Sequence, residues 1–115
     1  MDITIQPLGE RLVSVKLAGR LDTSGVGSVE TQFVSSLVPK GNNAIVDLSD
    51  VDFVASMGIR LFVSTARSLN ARQAKLALFG ARGGVLQVFE MVALGQIIPV
   101  CATQADALAA VSATP

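Results

Sequence analysis

The sequence predicts an α/β fold: a small mixed, mostly parallel sheet of about five strands packed with about four helices. Three observations carry this reading. Segments alternating apolar and polar residues are interleaved with segments whose apolar residues recur every third or fourth position. Ala44 to Leu48 is apolar on both faces apart from Asp47, as befits a central parallel strand covered on both sides. The first two strand-like segments are separated by a short turn, which makes them an antiparallel hairpin and the sheet mixed.

The elements follow in order. Ile3 and Ile5 alternate with Asp2, Thr4 and Gln6, a half-buried strand that Pro7, Leu8 and Gly9 punctuate. Val13, Val15 and Leu17 alternate with Ser14 and Lys16 as the second strand. Asp22, Thr23 and Ser24 supply N-cap oxygens for a helix with Val26, Val29, Phe33 and Leu37 on one face. Pro39, Gly41, Asn42 and Asn43 end it, and Ala44 to Leu48 forms the third strand. An acidic turn then leads to a second helix with Ile59, Phe62, Val63, Ala66 and Leu69 inward. Lys75 to Phe79 is a fourth strand, and Val85, Val88, Phe89 and Val92 line a shorter helix. Ile97 to Val100 is a fifth strand, placed at an edge because it contains Pro99. Thr103 to Ala113 closes the fold as an Ala-rich helix with Leu108 and Val111 inward. Strands alternating with helices favour right-handed crossovers. With no linker, repeat or low-complexity run, residues 1–115 are expected to form one domain.

Composition narrows the function classes. Nine basic and nine acidic residues leave no net charge, so neither nucleic acid nor an anionic membrane is an expected partner. There is no Trp, Tyr or His, hence no aromatic platform for stacking bases. The apolar stretch from Met91 to Ala102 is broken by Gly95, Gln96 and Pro99, far short of the roughly 20 residues a spanning helix needs. The start Met1-Asp2 lacks a basic region, which argues against a secretory signal. Cys101 is the sole cysteine, reads as a small core residue, and fits a reducing cytoplasm. Half of the residues are hydrophobic and only 16% charged, which leaves apolar surface for a further face buried against a partner.

Catalytic and cofactor chemistry find little support. No general base is paired with a nucleophile, so the chain is not expected to be an enzyme. Asp47, Asp50 and Asp52 read as turn and cap carboxylates rather than a metal or phosphoacceptor site, since Val100-Cys101-Ala102 lacks the lysine a receiver-type site requires. Gly80-Ala81-Arg82-Gly83-Gly84 lacks the spacing of a phosphate-binding loop and reads as a tight turn. No cofactor and no metal are expected.

The stretch Ala44 to Ile59 is the most informative. A buried strand and an acidic turn lead to Ser56 and Gly58 at the start of a helix. Ser56 reads as an N-cap hydroxyl, although Ile59 denies it a capping box. A phosphate there would meet unpaired N–H groups and the positive end of the helix dipole. It would change the local surface by about −1.5 to −2 charges. Those properties suit a switch.

Four segments in order carry a family resemblance. Gly19-Arg20-Leu21-Asp22 resembles a Gly-x-Leu-Asp motif that follows the second strand. Val46 to Phe53 resembles a third strand and turn. Ser56-Met57-Gly58-Ile59 stands where Asp-Ser-Ser/Thr-Gly-Leu is usual, and Val88 to Leu94 resembles a third helix with a Gly-Leu-like turn. Together they are similar to the STAS domain of bacterial anti-sigma-factor antagonists, over nearly the whole chain. The resemblance implies the STAS fold and Ser56 as a phosphorylation site. It implies a serine-kinase anti-sigma factor as partner, bound when Ser56 is unmodified and released on phosphorylation, with a phosphatase resetting the cycle. The docking face it implies comprises Asp22, Ser56, Met57, Gly58, Ile59 and Arg60, with Gly58 letting the partner backbone approach. Ala55 replaces the family Asp, and Met57 replaces the small hydroxyl residue. Those exchanges keep a second reading open: a non-phosphorylated binding module, such as a scaffold or an accessory subunit of a membrane lipid transporter.

Overall fold

In the computed structural model, which describes residues 1–112, one five-stranded sheet has its strands in sequence order. β1 (Asp2–Gly9) pairs antiparallel with β2 (Leu12–Leu21) across a turn at Glu10 and Arg11. The hairpin therefore turns later than Pro7-Leu8-Gly9: β1 continues past Pro7 through a register shift, and Arg11 takes the left-handed conformation, φ 61°, that the tight reversal needs. β3 (Asn43–Val54), β4 (Leu76–Phe79) and β5 (Val100–Cys101) then add in parallel. The mixed, mostly parallel sheet expected from the sequence is present.

α1 (Thr23–Leu37), α2 (Ser56–Asn70) and α3 (Gly83–Met91) connect successive parallel strands and cover one sheet face. Val26, Val29, Phe33 and Leu37 of α1 meet Leu61, Phe62 and Leu69 of α2 and Val85 and Phe89 of α3. Phe62 is the centre, edge-on to Phe33 at 6.0 Å and to Phe89 at 6.5 Å between centroids. Such edge-to-face pairs add about 0.5–1.5 kcal/mol each beyond their buried area. α4 (Gln104–Ser112) covers the other face, where Ala107 and Val111 pack on Ile45, Ala77 and Phe79. β3 alternates accordingly: Ala44, Val46 and Leu48 face the first layer and Ile45 the second.

Several expectations are corrected. β3 does not stop at Leu48; it runs through Ser49–Asp52, where an acidic turn was expected. Register shifts against β2 at Lys16/Ala18 and Gly19/Arg20 absorb the extra residues, leaving Val51 and Val54 both buried in the core. β5 is two residues rather than Ile97–Val100, because a 3₁₀ turn at Leu94–Gln96 precedes it and Pro99 has no N–H for the ladder. Val92 ends α3 half exposed instead of lining it. In α4, Ala107 and Val111 are the buried residues, with Leu108 partly buried; Ala113 lies outside the described residues.

Candidate functional site at the start of the second helix

The parallel strands point the same way, so β2 and β3 deliver α1 and α2 to one end of the sheet. The carbonyl of Leu21 accepts a hydrogen bond from the Ala55 amide at 3.0 Å, tying the two strand ends together. The N-termini of α1 and α2 thus stand side by side, and both project positive dipole ends toward the same surface.

The two termini are finished differently. Asp22 caps α1: its Oδ1 accepts from the Gly25 amide at 2.8 Å. That hydrogen bond, with a smaller contribution from the Arg20 guanidinium, holds the Asp22 carboxyl below the usual carboxylate range. Arg20 Nε lies 3.6 Å from Asp22 Oδ2, and its guanidinium sits 4.3 Å from the ring centroid of Phe53. Asp22, Arg20 and Phe53 therefore form a connected row along the end of the sheet. Gly25 is required here, because a Cβ would run into the Arg20 carbonyl.

α2 has no such finish. Its N-cap is Ala55, extended at φ −96° and ψ 173°, with no side chain able to accept a hydrogen bond. Ser56 is therefore the first helical residue and not the cap, a correction of one position. The helix ladder begins with the Gly58 and Ile59 amides on the Ala55 carbonyl, so the Ser56 and Met57 amides have no partner within the helix. No acidic residue occupies the first turn.

Of the expected contact residues, Ser56, Met57 and Arg60 are exposed, and Asp22 and Ile59 are half-buried, with Ile59 packed against the core. Gly58 points the other way. It is buried, and a Cβ on it would stand 2.7 Å from Leu21 Cδ2 and 2.8 Å from Leu21 Cγ. The close approach that needs glycine is between α2 and β2 of this chain, so Gly58 offers no side-chain space to a partner. Sequence reading missed Arg20, Gly25 and Phe53. Phe53 would have been found by continuing the strand alternation past Leu48, had the bulge been legible.

Of the remaining candidates Asp52 is exposed, and the others are engaged in the fold. Asp47 Oδ1 accepts from the Ser49 amide at 2.9 Å and from the Ser49 hydroxyl at 2.7 Å. Asp50 pairs with Lys16 at 3.1 Å, which raises the Lys16 pKa. Among the described residues no group of His, Cys, Asp or Glu is placed to hold a metal ion. Gly80, at φ +80°, sits against Asp47 and Ser49, and the tight turn expected over Gly80–Gly84 is corrected: residues 80–82 are a short irregular connection, and Gly83 and Gly84 open α3. Cys101 is half-buried at the sheet edge, and burial pushes its thiol pKa up, as for an unreactive thiol. No described helix is long and apolar enough to cross a membrane.

Comparison with known proteins gives this geometry a context. The pattern of the STAS domain matches residues 7–107. The anti-sigma-B factor antagonist of Listeria monocytogenes is 30% identical over 88 residues, which is 76% of this chain and 77% of the relative. An anti-sigma factor antagonist from Mycobacterium paratuberculosis superposes with a TM-score of 0.84 at 23% identity, covering 97% of this chain and 94% of that one. The unphosphorylated form of the Bacillus antagonist SpoIIAA superposes at 0.79 with 21% identity, covering 95% of both chains. Its phosphorylated form superposes at 0.70 with 22% identity, covering 93% and 96%.

Proposed function

This chain belongs to the STAS domain family, and from that premise we propose that it is an anti-sigma-factor antagonist, a binding switch rather than an enzyme. It docks an anti-sigma factor of the serine-kinase type through the surface around Ser56, and phosphorylation of Ser56 releases it. One observation carries the reading: Ser56 is exposed as the first residue of α2, beside two unpartnered amides, with neither a side-chain cap nor a first-turn acid competing for the place. The structure can thus accept an anion at position 56 without disturbing its own hydrogen bonds. The names of its relatives, antagonists of anti-sigma factors, support the same reading.

A second reading has its own observation. Ala55 and Met57 stand where acidic and hydroxyl residues are usual, so a kinase finds fewer polar handles beside Ser56. On that reading the same face binds constitutively. The test uses the serine-kinase anti-sigma factor of the source organism, purified and mixed with this chain and ATP. Under the proposal, phosphate appears on the peptide bearing Ser56, and the complex dissociates as it does. A stable complex with an unmodified Ser56 peptide supports the constitutive module instead. Failure to form any complex sinks the anti-sigma-factor reading and leaves a binding module with a different partner.

A further inference from the structure

Unmodified α2 carries half of an ion pair. Arg60 stands four residues after Ser56, and both residues are exposed. At that spacing two helical residues lie one above the other on one face, with about 5–6 Å between their Cβ atoms. Side chains on a helix lean toward its N-terminus, so Arg60 leans toward Ser56 and its stem is long enough to span the gap. The order is the favoured one, with the position that can bear an anion N-terminal to the cation. Yet Arg60 has no acid to meet. Its other helical neighbours at three and four residues are Met57, Val63 and Ser64. Among the described residues the ion pairs are Lys16–Asp50 and Arg20–Asp22. The other cations at this end of the sheet are placed differently. Arg20 is held between Asp22 and the Phe53 ring, and Arg82 shares a hollow with Asp50 and Asp52.

We propose that Arg60 is the counter-ion of phosphorylated Ser56 and clasps the phosphate against the first turn of α2. This rests on the reading of Ser56 as a phosphorylation site, and adds how the modified state is held. A planar guanidinium can meet two phosphate oxygens at once, which a point charge cannot. Asp22 and Asp52, the acids nearest to Ser56 along the chain and across the paired strand ends, repel the incoming phosphate. Arg60 offsets that repulsion from within the same helix. The clasp also takes up a cation that the unmodified chain leaves free. One modification thus adds an anion to the docking face and withdraws its free arginine.

The experiment places phosphoserine at position 56 during synthesis, by an expanded genetic code, so it needs neither kinase nor anti-sigma factor. Phosphorus NMR then follows the phosphate through its second ionisation, ordinarily near pH 6. The chain has no histidine to titrate alongside it. A neighbouring cation favours the dianion and lowers this pKa. Arg60→Gln should therefore raise it by roughly 0.3, about a twofold change in proton affinity, and the difference should shrink at high salt. Arg60→Lys should restore part of the wild-type value, since it keeps the charge and loses the fork. Arg20→Gln should move the titration less than Arg60→Gln does. Arg60 is exposed, so the unmodified Arg60→Gln chain should melt with the wild type, which separates loss of the clasp from loss of the fold. A phosphate that titrates alike in wild type and Arg60→Gln, or one that Arg20→Gln moves further, overturns the clasp. A titration that depends on Arg60 in a chain whose Ser56 the kinase ignores upholds the clasp and sinks the phospho-switch, so the two readings fail separately.

Discussion

Gly58 and Gly25 show how a single carbon acts on this fold. Ala at position 58 gains about 0.5–1 kcal/mol in helix propensity over Gly. Its Cβ would overlap Leu21, a fully buried side chain at the end of β2 with no room to turn aside. Overpacking of this kind costs about 1–3 kcal/mol and outweighs the propensity gain. Gly58→Ala should therefore destabilise the protein in urea denaturation. Adding Leu21→Ala should recover part of the loss, a coupling that a double-mutant cycle measures. Additive effects would contradict the contact. Gly25→Ala meets backbone in place of side chain, so no partner truncation relieves it, and its loss should be the larger of the two.

At the level of elements, the two adjacent helix starts differ in what finishes them. Asp22 is charged in its cap and its pKa is lowered by the Gly25 amide, with Arg20 adding to the effect. A depressed carboxyl contributes stability that is present above its ordinary value, 3.8, and lost as pH falls through its lower folded value. Thermal melts of the wild type should therefore show a decline in that acid window. Asn caps as well as Asp without ionising, so Asp22→Asn should flatten this part of the profile and leave the neutral-pH melt close to wild type. An identical acid limb in both proteins would remove Asp22 from the account. For α2 the converse change applies. Ala55→Asp supplies the missing cap oxygen and a negative charge at the dipole, and should stabilise by about 0.5–2 kcal/mol. If the kinase reading is right, the same substitution should speed Ser56 phosphorylation, read by mass spectrometry against time. A slower rate would show that Ala55 itself suits the partner.

For the molecule as a whole, the question is whether a charge at Ser56 alters the fold or only its associations. Ser56 is exposed and its amide has no intrahelical partner, so an anion there meets water and the helix dipole. Such placement stabilises by about 0.3–1 kcal/mol. In a complex the same charge is desolvated or left unpaired, which costs several kcal/mol, while about 1.4 kcal/mol already weakens binding tenfold. Ser56→Asp should thus melt at or slightly above the wild-type temperature and bind the anti-sigma factor at least tenfold more weakly. Ser56→Ala should bind normally and resist the kinase. Calorimetry of folding and binding on the same samples separates these effects; a lowered melting temperature with intact affinity would reverse the expected pattern.

The residues alone determined the order of strands and helices, the helices' inward faces at Phe33, Phe62 and Phe89, and the placing of Ser56 at a helix start. Those are properties of local periodicity and punctuation, readable wherever burial repeats with the period of the backbone. The tertiary structure decided the rest. It carried β3 through Ser49–Asp52 by bulges against β2, turned Gly58 inward onto Leu21, set Gly25 against the Arg20 carbonyl, and laid Arg20 between Asp22 and Phe53. It also exposed Met91, Val92 and Ile97 together where α3 ends early. Each of these depends on the approach of segments that are not neighbours along the chain, or on a one-residue slip in register. Local sequence periodicity encodes neither, because both are settled by what lies across the gap.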